Sequence, residues 1–179
     1  MKIIALGGSL RPHSRAYSAL KLALRRIEAH HVETELVDLR QLRLPFCNGE
    51  SFYPGFPDVE RLRESMLSAS GILIATPEYH GDMSGVLKNT LDLLEEEHVA
   101  GKVAALIAVV GGVHSTNALN SLRLICRQLH CWVIPEQLVI PHAEESFDAM
   151  GELKDPQLEV RLDLLVEHLI KAARHFHAR

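Results

Sequence analysis

Two segments of this chain share one pattern: an unbroken apolar run stops in a small, polar, turn-prone stretch and resumes as an amphipathic helix. The first run covers residues 2–6 and gives way to Gly7-Gly8-Ser9-Leu10-Arg11-Pro12-His13-Ser14. The second covers 71–76 and gives way to Pro77-Glu78-Tyr79-His80-Gly81. Short apolar runs of this kind fit strands buried on both faces, the mark of a parallel sheet covered by helices. The alternation continues along the chain. Strands are expected at 34–39, 102–110 and 131–140, the last interrupted by Pro135. Helices are expected after Ser14, at 58–68, from near Met83, at 116–129 and after the capping pair Asp155-Pro156. Right-handed crossovers of the expected βα units then give an α/β three-layer sandwich on a five-stranded parallel sheet of order 2-1-3-4-5. Residues 1–179 read as one domain, without internal repeats, low-complexity tracts or a linker.

In such a sheet the strand exits lie side by side at the carboxyl ends, where ligands bind. The first exit has the chemistry for a phosphate. A helix start carries unpartnered N–H groups and partial positive charge. Gly7 and Gly8 allow a sharp turn out of the strand, Ser9 and Ser14 offer hydroxyls, and Arg11 offers a forked cation. Ser14 is equally a plain N-cap for the helix that follows. The second exit suits a flat polar ring. One ligand that carries both a phosphate and such a ring is flavin mononucleotide (FMN).

The pair Gly8-Ser9-x-Arg11-x-x-Ser14 and Pro77-Glu78-Tyr79-x-Gly81-x-x-x-Gly85-x-Leu87-Lys88-Asn89 resembles the NADPH-dependent FMN reductase family, over roughly the first three-quarters of the chain. The resemblance implies a flavodoxin-like fold, FMN as cofactor and NADPH or NADH as co-substrate. It also implies a small-molecule electron acceptor: a flavin, quinone, azo compound or metal oxyanion. By the same resemblance Ser9, Arg11 and Ser14 hold the FMN phosphate, and Pro77, Glu78, Tyr79, His80 and Gly81 line the isoalloxazine ring largely through backbone groups. The family places a further glycine-rich loop after the fourth strand. Here that loop reads Gly111-Gly112-Val113-His114-Ser115, which makes Gly111, Gly112 and His114 candidate ring contacts. Hydride would pass from the nicotinamide to the flavin, and electrons from there to the acceptor, with no catalytic acid or base demanded of the protein. Members of the family are commonly homodimers or homotetramers.

The alternative is an FMN-binding electron carrier that oxidises NAD(P)H poorly. Such carriers have strongly acidic surfaces, whereas this chain has a net charge of only −4 and Arg11 in its phosphate loop. No Gly-x-Gly-x-x-Gly fingerprint follows the first strand, so the nicotinamide donor is expected as a visiting substrate. No run of Lys or Arg suggests a nucleic-acid surface, and no apolar stretch approaches the ~20 residues that span a bilayer. A cytoplasmic place of work is the expectation.

Three cysteines form no disulfide framework, and no residue set has the spacing of a metal site. Cys126 and Cys131 flank a helix end and are read as structural. Of the eleven histidines, only His80 and His114 fall in the expected ligand loops. Residues 40–57 form the longest irregular stretch, and Phe46, Phe52, Tyr53 and Phe56 are expected to cover a ring, to pack against a neighbouring subunit or to pin the loop to its own domain. Asn89 is expected to tie down the 77–81 loop, and Lys88 to be solvated.

Overall fold

The computed structural model describes residues 1–113 and 115–177. The first apolar run is strand β1 (Lys2–Gly7), and it lies in the middle of the molecule, with Ile3, Ile4, Ala5 and Leu6 completely buried. It pairs in parallel with β2 (Glu33–Asp38) on one side and with β3 (Gly71–Tyr79) on the other. Beyond β3, past the two-residue β4 (Asp82–Met83), come β5 (Val103–Val109) and β6 (Trp132–Ile140), also parallel. The spatial order is β2-β1-β3-β5-β6.

Period-two alternation sends successive strand residues to opposite faces, and each face meets its own helices. Ile3, Ala5, Leu73 and Ala75 pack with α1 (Arg15–Ala29) and α7 (Pro156–His177). Ile4, Leu6, Ile72 and Ile74 pack with α2 (Pro57–Ser68), α3 (Gly85–Asp92) and α5 (Asn117–Gln128). Two single-turn helices, α4 (Glu96–Val99) and α6 (Ala143–Ser146), complete the described elements. The layering is the three-layer α/β sandwich that the alternation predicts.

The expectation of five strands needs correction. The sheet has six, because the chain turns back after β3 and adds β4 antiparallel to it, with Tyr79 opposite Asp82 and Glu78 opposite Met83. Pro77, Glu78 and Tyr79 are therefore strand residues, and the loop shrinks to His80-Gly81. Both have positive φ, 53° and 81°, as the inner residues of a type I′ hairpin turn do. At the sheet edge, β6 runs through Pro135 because a shift of register between Ala104 and Leu106 leaves Pro135 outside the ladder. Among the described residues no helix is long and apolar enough to cross a membrane.

Histidine has an unexpected part in this fold. All four described non-glycine residues with positive φ are histidines: His31, His80, His130 and His142. The left-handed region costs most side chains energy, and histidine is among those that tolerate it. His31 follows the end of α1 and His130 the end of α5. After α5 the His130 N–H reaches the Arg127 carbonyl at 3.1 Å and the Cys131 N–H reaches the Cys126 carbonyl at 2.8 Å, the two bonds of a Schellman ending.

Candidate functional site

The exit from β1 is built by close packing before any charge is involved. A Cβ at Gly7 would sit 2.4 Å from the Tyr17 ring, so only glycine lets that ring cross the strand end. The Tyr17 hydroxyl donates to the Gly7 carbonyl and accepts from the Leu39 N–H, both at 2.9 Å. Burial pushes this phenol above its ordinary pKa and keeps it a donor. Gly8 lies against Leu87, where a Cβ would meet that side chain at 2.9 Å. Ser84 caps α3 and also donates its hydroxyl to the Gly8 carbonyl at 2.5 Å, which bolts the first exit to the second.

Ser9 and Ser14 are buried, and their oxygens line the turn into α1. Ser9 Oγ accepts the Arg11 N–H at 3.3 Å, and Ser14 Oγ lies 3.5 Å from the Tyr17 N–H as the helix cap. The first two helical N–H groups, of Arg15 and Ala16, have no intrahelical acceptor by construction. Arg11 is exposed. Glu144, from α6, reaches across to it at 3.5 Å and to Arg15 Nε at 3.2 Å. Arg40 braces the loop from the other side: it stacks on the Tyr17 ring at 4.3 Å and donates to the Pro12 carbonyl at 3.0 Å. Its guanidinium holds the Asp38 carboxyl below the usual carboxylate range.

The second exit is a backbone structure. Glu78 turns its carboxylate to the Ala118 N–H at 3.2 Å and so caps α5. The Thr76 hydroxyl donates to the Pro77 carbonyl at 2.8 Å and accepts from the Ser84 N–H at 3.2 Å. Tyr79 is 45% exposed and borders the space between the two exits.

These exits meet in a cleft of about 240 Å³. Of the sequence-expected residues, Ser9, Arg11, Ser14, Pro77, Glu78, Tyr79 and Gly111 line it. His80, Gly81 and Gly112 are not among its lining residues; the first two form the turn between β3 and β4. His114 lies outside the described residues. The cleft also takes in Arg15 and Glu144, which sequence reasoning missed. Glu144 follows the exit of β6, and the rule that puts ligands at strand ends covers that exit too. Two buried hydroxyls, two guanidinium groups and a helix start suit a phosphate dianion, and a half-exposed tyrosine beside strand-end backbone suits a flat ring. The donor set therefore fits FMN.

Two further expectations are settled. Asn89 does not tie the 77–81 segment; its Oδ1 accepts the Cys47 N–H and its Nδ2 donates to the Pro45 carbonyl, both at 2.9 Å. It anchors the long 40–57 loop instead. Lys88 pairs with Asp92 one turn along α3 at the exposed surface. Among the described residues no group of three or more His, Cys, Asp or Glu side chains is arranged to hold a metal ion.

Comparison with known proteins agrees with the geometry. The chain is 34% identical over 157 residues to the NADPH azoreductase of Bacillus sp. (strain OY1-2), covering 87% of this chain and 85% of that protein. It is 27% identical over 176 residues to the FMN-dependent NADPH-azoreductase of Staphylococcus aureus (strain USA300), covering 95% and 94%. In fold it is similar to FerB, a flavoenzyme NAD(P)H:(acceptor) oxidoreductase from Paracoccus denitrificans, with a TM-score of 0.82 at 24% identity over 98% of each chain. The apo form of an NADH:FMN oxidoreductase gives 0.80 at 21% identity, over 94% of this chain and 87% of that one. The sequence profile described as NADPH-dependent FMN reductase matches residues 1–145. Profile, identity and strand-exit chemistry converge, and the chain belongs to the NADPH-dependent FMN reductase family.

Proposed function

We propose that this protein is an FMN-dependent NAD(P)H oxidoreductase that passes reducing equivalents to a small acceptor: a flavin, quinone, azo compound or metal oxyanion. The observation that carries this reading is the single cleft joining the hydroxyl- and arginine-lined start of α1 to the half-exposed Tyr79. When bound there, FMN supplies the hydride-accepting and electron-donating centre. The chain's own part is binding and shape. Ser9, Ser14 and the first N–H groups of α1 hold the phosphate, with Arg11 and Arg15 as counter-charge. Pro77, Glu78, Tyr79 and Gly111 border the ring, with His80, Gly81 and Gly112 next to them along the chain.

The reading extends to residues 1–179 as one domain, at work in the cytoplasm where the nicotinamide donor is regenerated. A homodimer or homotetramer is part of it. What supports the oligomer is an apolar groove beside the cleft, with Leu10 58% and Phe46 89% exposed and Leu42, Leu44 and Val86 on its walls. Tyr53, by contrast, is buried and pins the same loop to its own chain.

The test is anaerobic stopped-flow mixing of the FMN-loaded protein with NADPH and, separately, NADH, followed near ~450 nm, where oxidised flavin absorbs. Rapid saturable bleaching is expected, and the faster donor sets the nicotinamide preference. Stable FMN without bleaching would move the protein to the electron-carrier class.

A further inference from the structure

The end of α5 brings two cysteines together. In a Schellman ending, the third-from-last helical residue and the second residue beyond the cap meet side chain to side chain. In α5 those two positions are Cys126 and Cys131, with His130 between them and the cap at φ 58°. The Cys131 N–H donates to the Cys126 carbonyl at 2.8 Å. That bond limits the separation of their Cα atoms to about 6.7 Å, within the roughly 4.4–6.8 Å that a disulfide spans. A hydrophobic pair is usual at these positions, and cysteine can serve there as a small apolar side chain. Here the two thiols also interact with each other, Cys126 donating to the Cys131 sulfur.

Their surroundings give the two sulfurs different roles. Cys126 is 2% exposed among the apolar residues beneath α5. Its bond to Cys131 and its burial push this thiol above its ordinary pKa. Cys131 is partly exposed. Donation from Cys126 holds the Cys131 thiol below its ordinary pKa against the opposing effect of burial, and the Lys102 ammonium adds to the lowering. That ammonium is fixed by the Leu67 and Ala69 carbonyls at 2.9 and 2.6 Å. Cys131 Sγ also lies 3.4 Å from the Val99 carbonyl. An accessible sulfur favoured as thiolate, backed by a buried thiol, is the arrangement of an attacking and a resolving cysteine. The third cysteine, Cys47, packs in a separate cluster with Tyr53, Val59 and Leu93, and its thiol donates to the Asp92 carbonyl at 3.3 Å.

We propose that Cys131 and Cys126 form an oxidation site, at which hydrogen peroxide converts the pair to an intramolecular disulfide. The Cys131 thiolate attacks one peroxide oxygen: the S–O bond forms, the O–O bond breaks, and the departing hydroxide takes up the proton the thiol released. The Cys126 sulfur then attacks the sulfenic acid: the S–S bond forms, the S–O bond breaks, and hydroxide leaves as water with the Cys126 proton. Two thiols lose two electrons and two protons, and one peroxide becomes two waters. The pair lies at the amino ends of β5 and β6, at the opposite end of the sheet from the strand exits that form the flavin cleft. The oxidation therefore involves no flavin and does not rest on the reductase reading.

In the test, the reduced full chain is treated with hydrogen peroxide, quenched and alkylated. Trypsin then cuts after Arg127, between the two cysteines. We expect the intact chain to lose about 2 Da, the mass of two hydrogens, and the Cys126 and Cys131 peptides to appear joined until a dithiol reductant separates them. Cys47 is the internal comparison, and its oxidation is expected to be about tenfold slower. In Cys126→Ser the sulfenic acid at Cys131 should persist and be trapped by dimedone. In Cys131→Ser, with folding verified by a thermal melt, neither a joined peptide nor a dimedone adduct at Cys126 is expected. Absence of the joined peptides from the natural chain would overturn the proposal, and that result is read without any variant. Oxidation of Cys47 ahead of Cys131, or a dimedone adduct at Cys126 in Cys131→Ser, would also overturn it.

Discussion

The chain leaves β1 and β3 at the same end of the sheet, and the two exits are held by different forces. After β1 the path is set by side chains: the Tyr17 ring against Gly7, the Ser84 hydroxyl on Gly8, and arginines arranged around an anion-sized turn. After β3 it is set mainly by the backbone: a two-residue turn at positive φ and a short antiparallel pair, with the Glu78 carboxylate tied to the start of α5. The first exit has charge to offer a ligand, the second mainly shape. A phosphate end and a ring end divide along that line.

The largest expected effect falls where the first exit packs tightest. Gly7→Ala places a Cβ inside the Tyr17 ring and is expected to cost about 3 kcal/mol of stability, read as a lower urea midpoint with an unchanged slope. A neutral result would mean that Tyr17 moves freely and that packing does not define this exit. Next comes the charge. Arg11→Ala is expected to weaken FMN by about 2 kcal/mol, roughly thirtyfold, in a fluorescence titration, and to leave riboflavin, which lacks the phosphate, unaffected. Equal losses for both ligands would erase the distinction between the exits.

The backbone exit predicts smaller effects. Gly81→Ala at φ 81° is expected to cost about 1 kcal/mol of stability, whereas His80→Gly should be near neutral because the turn needs the conformation and not the imidazole. A large loss of FMN affinity in His80→Gly, with folding intact, would give that ring a binding role. Glu144→Gln sharpens the comparison by its sign. The carboxylate competes with a phosphate for Arg11 and Arg15, so its removal should tighten FMN by about 0.5 kcal/mol, less at high salt.

The smallest effect is in acid. Arg40 holds the Asp38 carboxyl below its ordinary range, so the folded state binds that proton less readily than the unfolded chain. The resulting stability is present above the unfolded carboxylate pKa of about 3.9 and is lost as pH falls through the lower folded value. Asp38→Asn should flatten that part of the urea-midpoint profile against pH.

What the sequence made legible follows the same division. The apolar runs at 2–6 and 71–76 are long and unbroken, so the parallel sheet could be read directly. The β4 strand could not, because two residues carry no periodicity and the turn that makes it uses His80 where Asn or Gly would have signalled it. Ser9, Arg11 and Ser14 stood out because their chemistry is in their side chains. His80 and Gly81 form the turn of a hairpin whose short return strand the sequence did not announce. Glu144 lies far along the chain from Arg11, and only the sheet brings them together. Asn89 sits in the expected helix but faces the 40–57 loop, since Ser84 already does the work of tying the two exits.

The central claim is that the turn into α1 grips a phosphate while the strand end beside it accepts a ring. Calorimetric titration of the flavin-free protein with FMN and with riboflavin tests it most directly. The account predicts that FMN binds at least about a hundredfold more tightly, as expected for charge-assisted bonds to a phosphate. Equal affinities for the two flavins would contradict it.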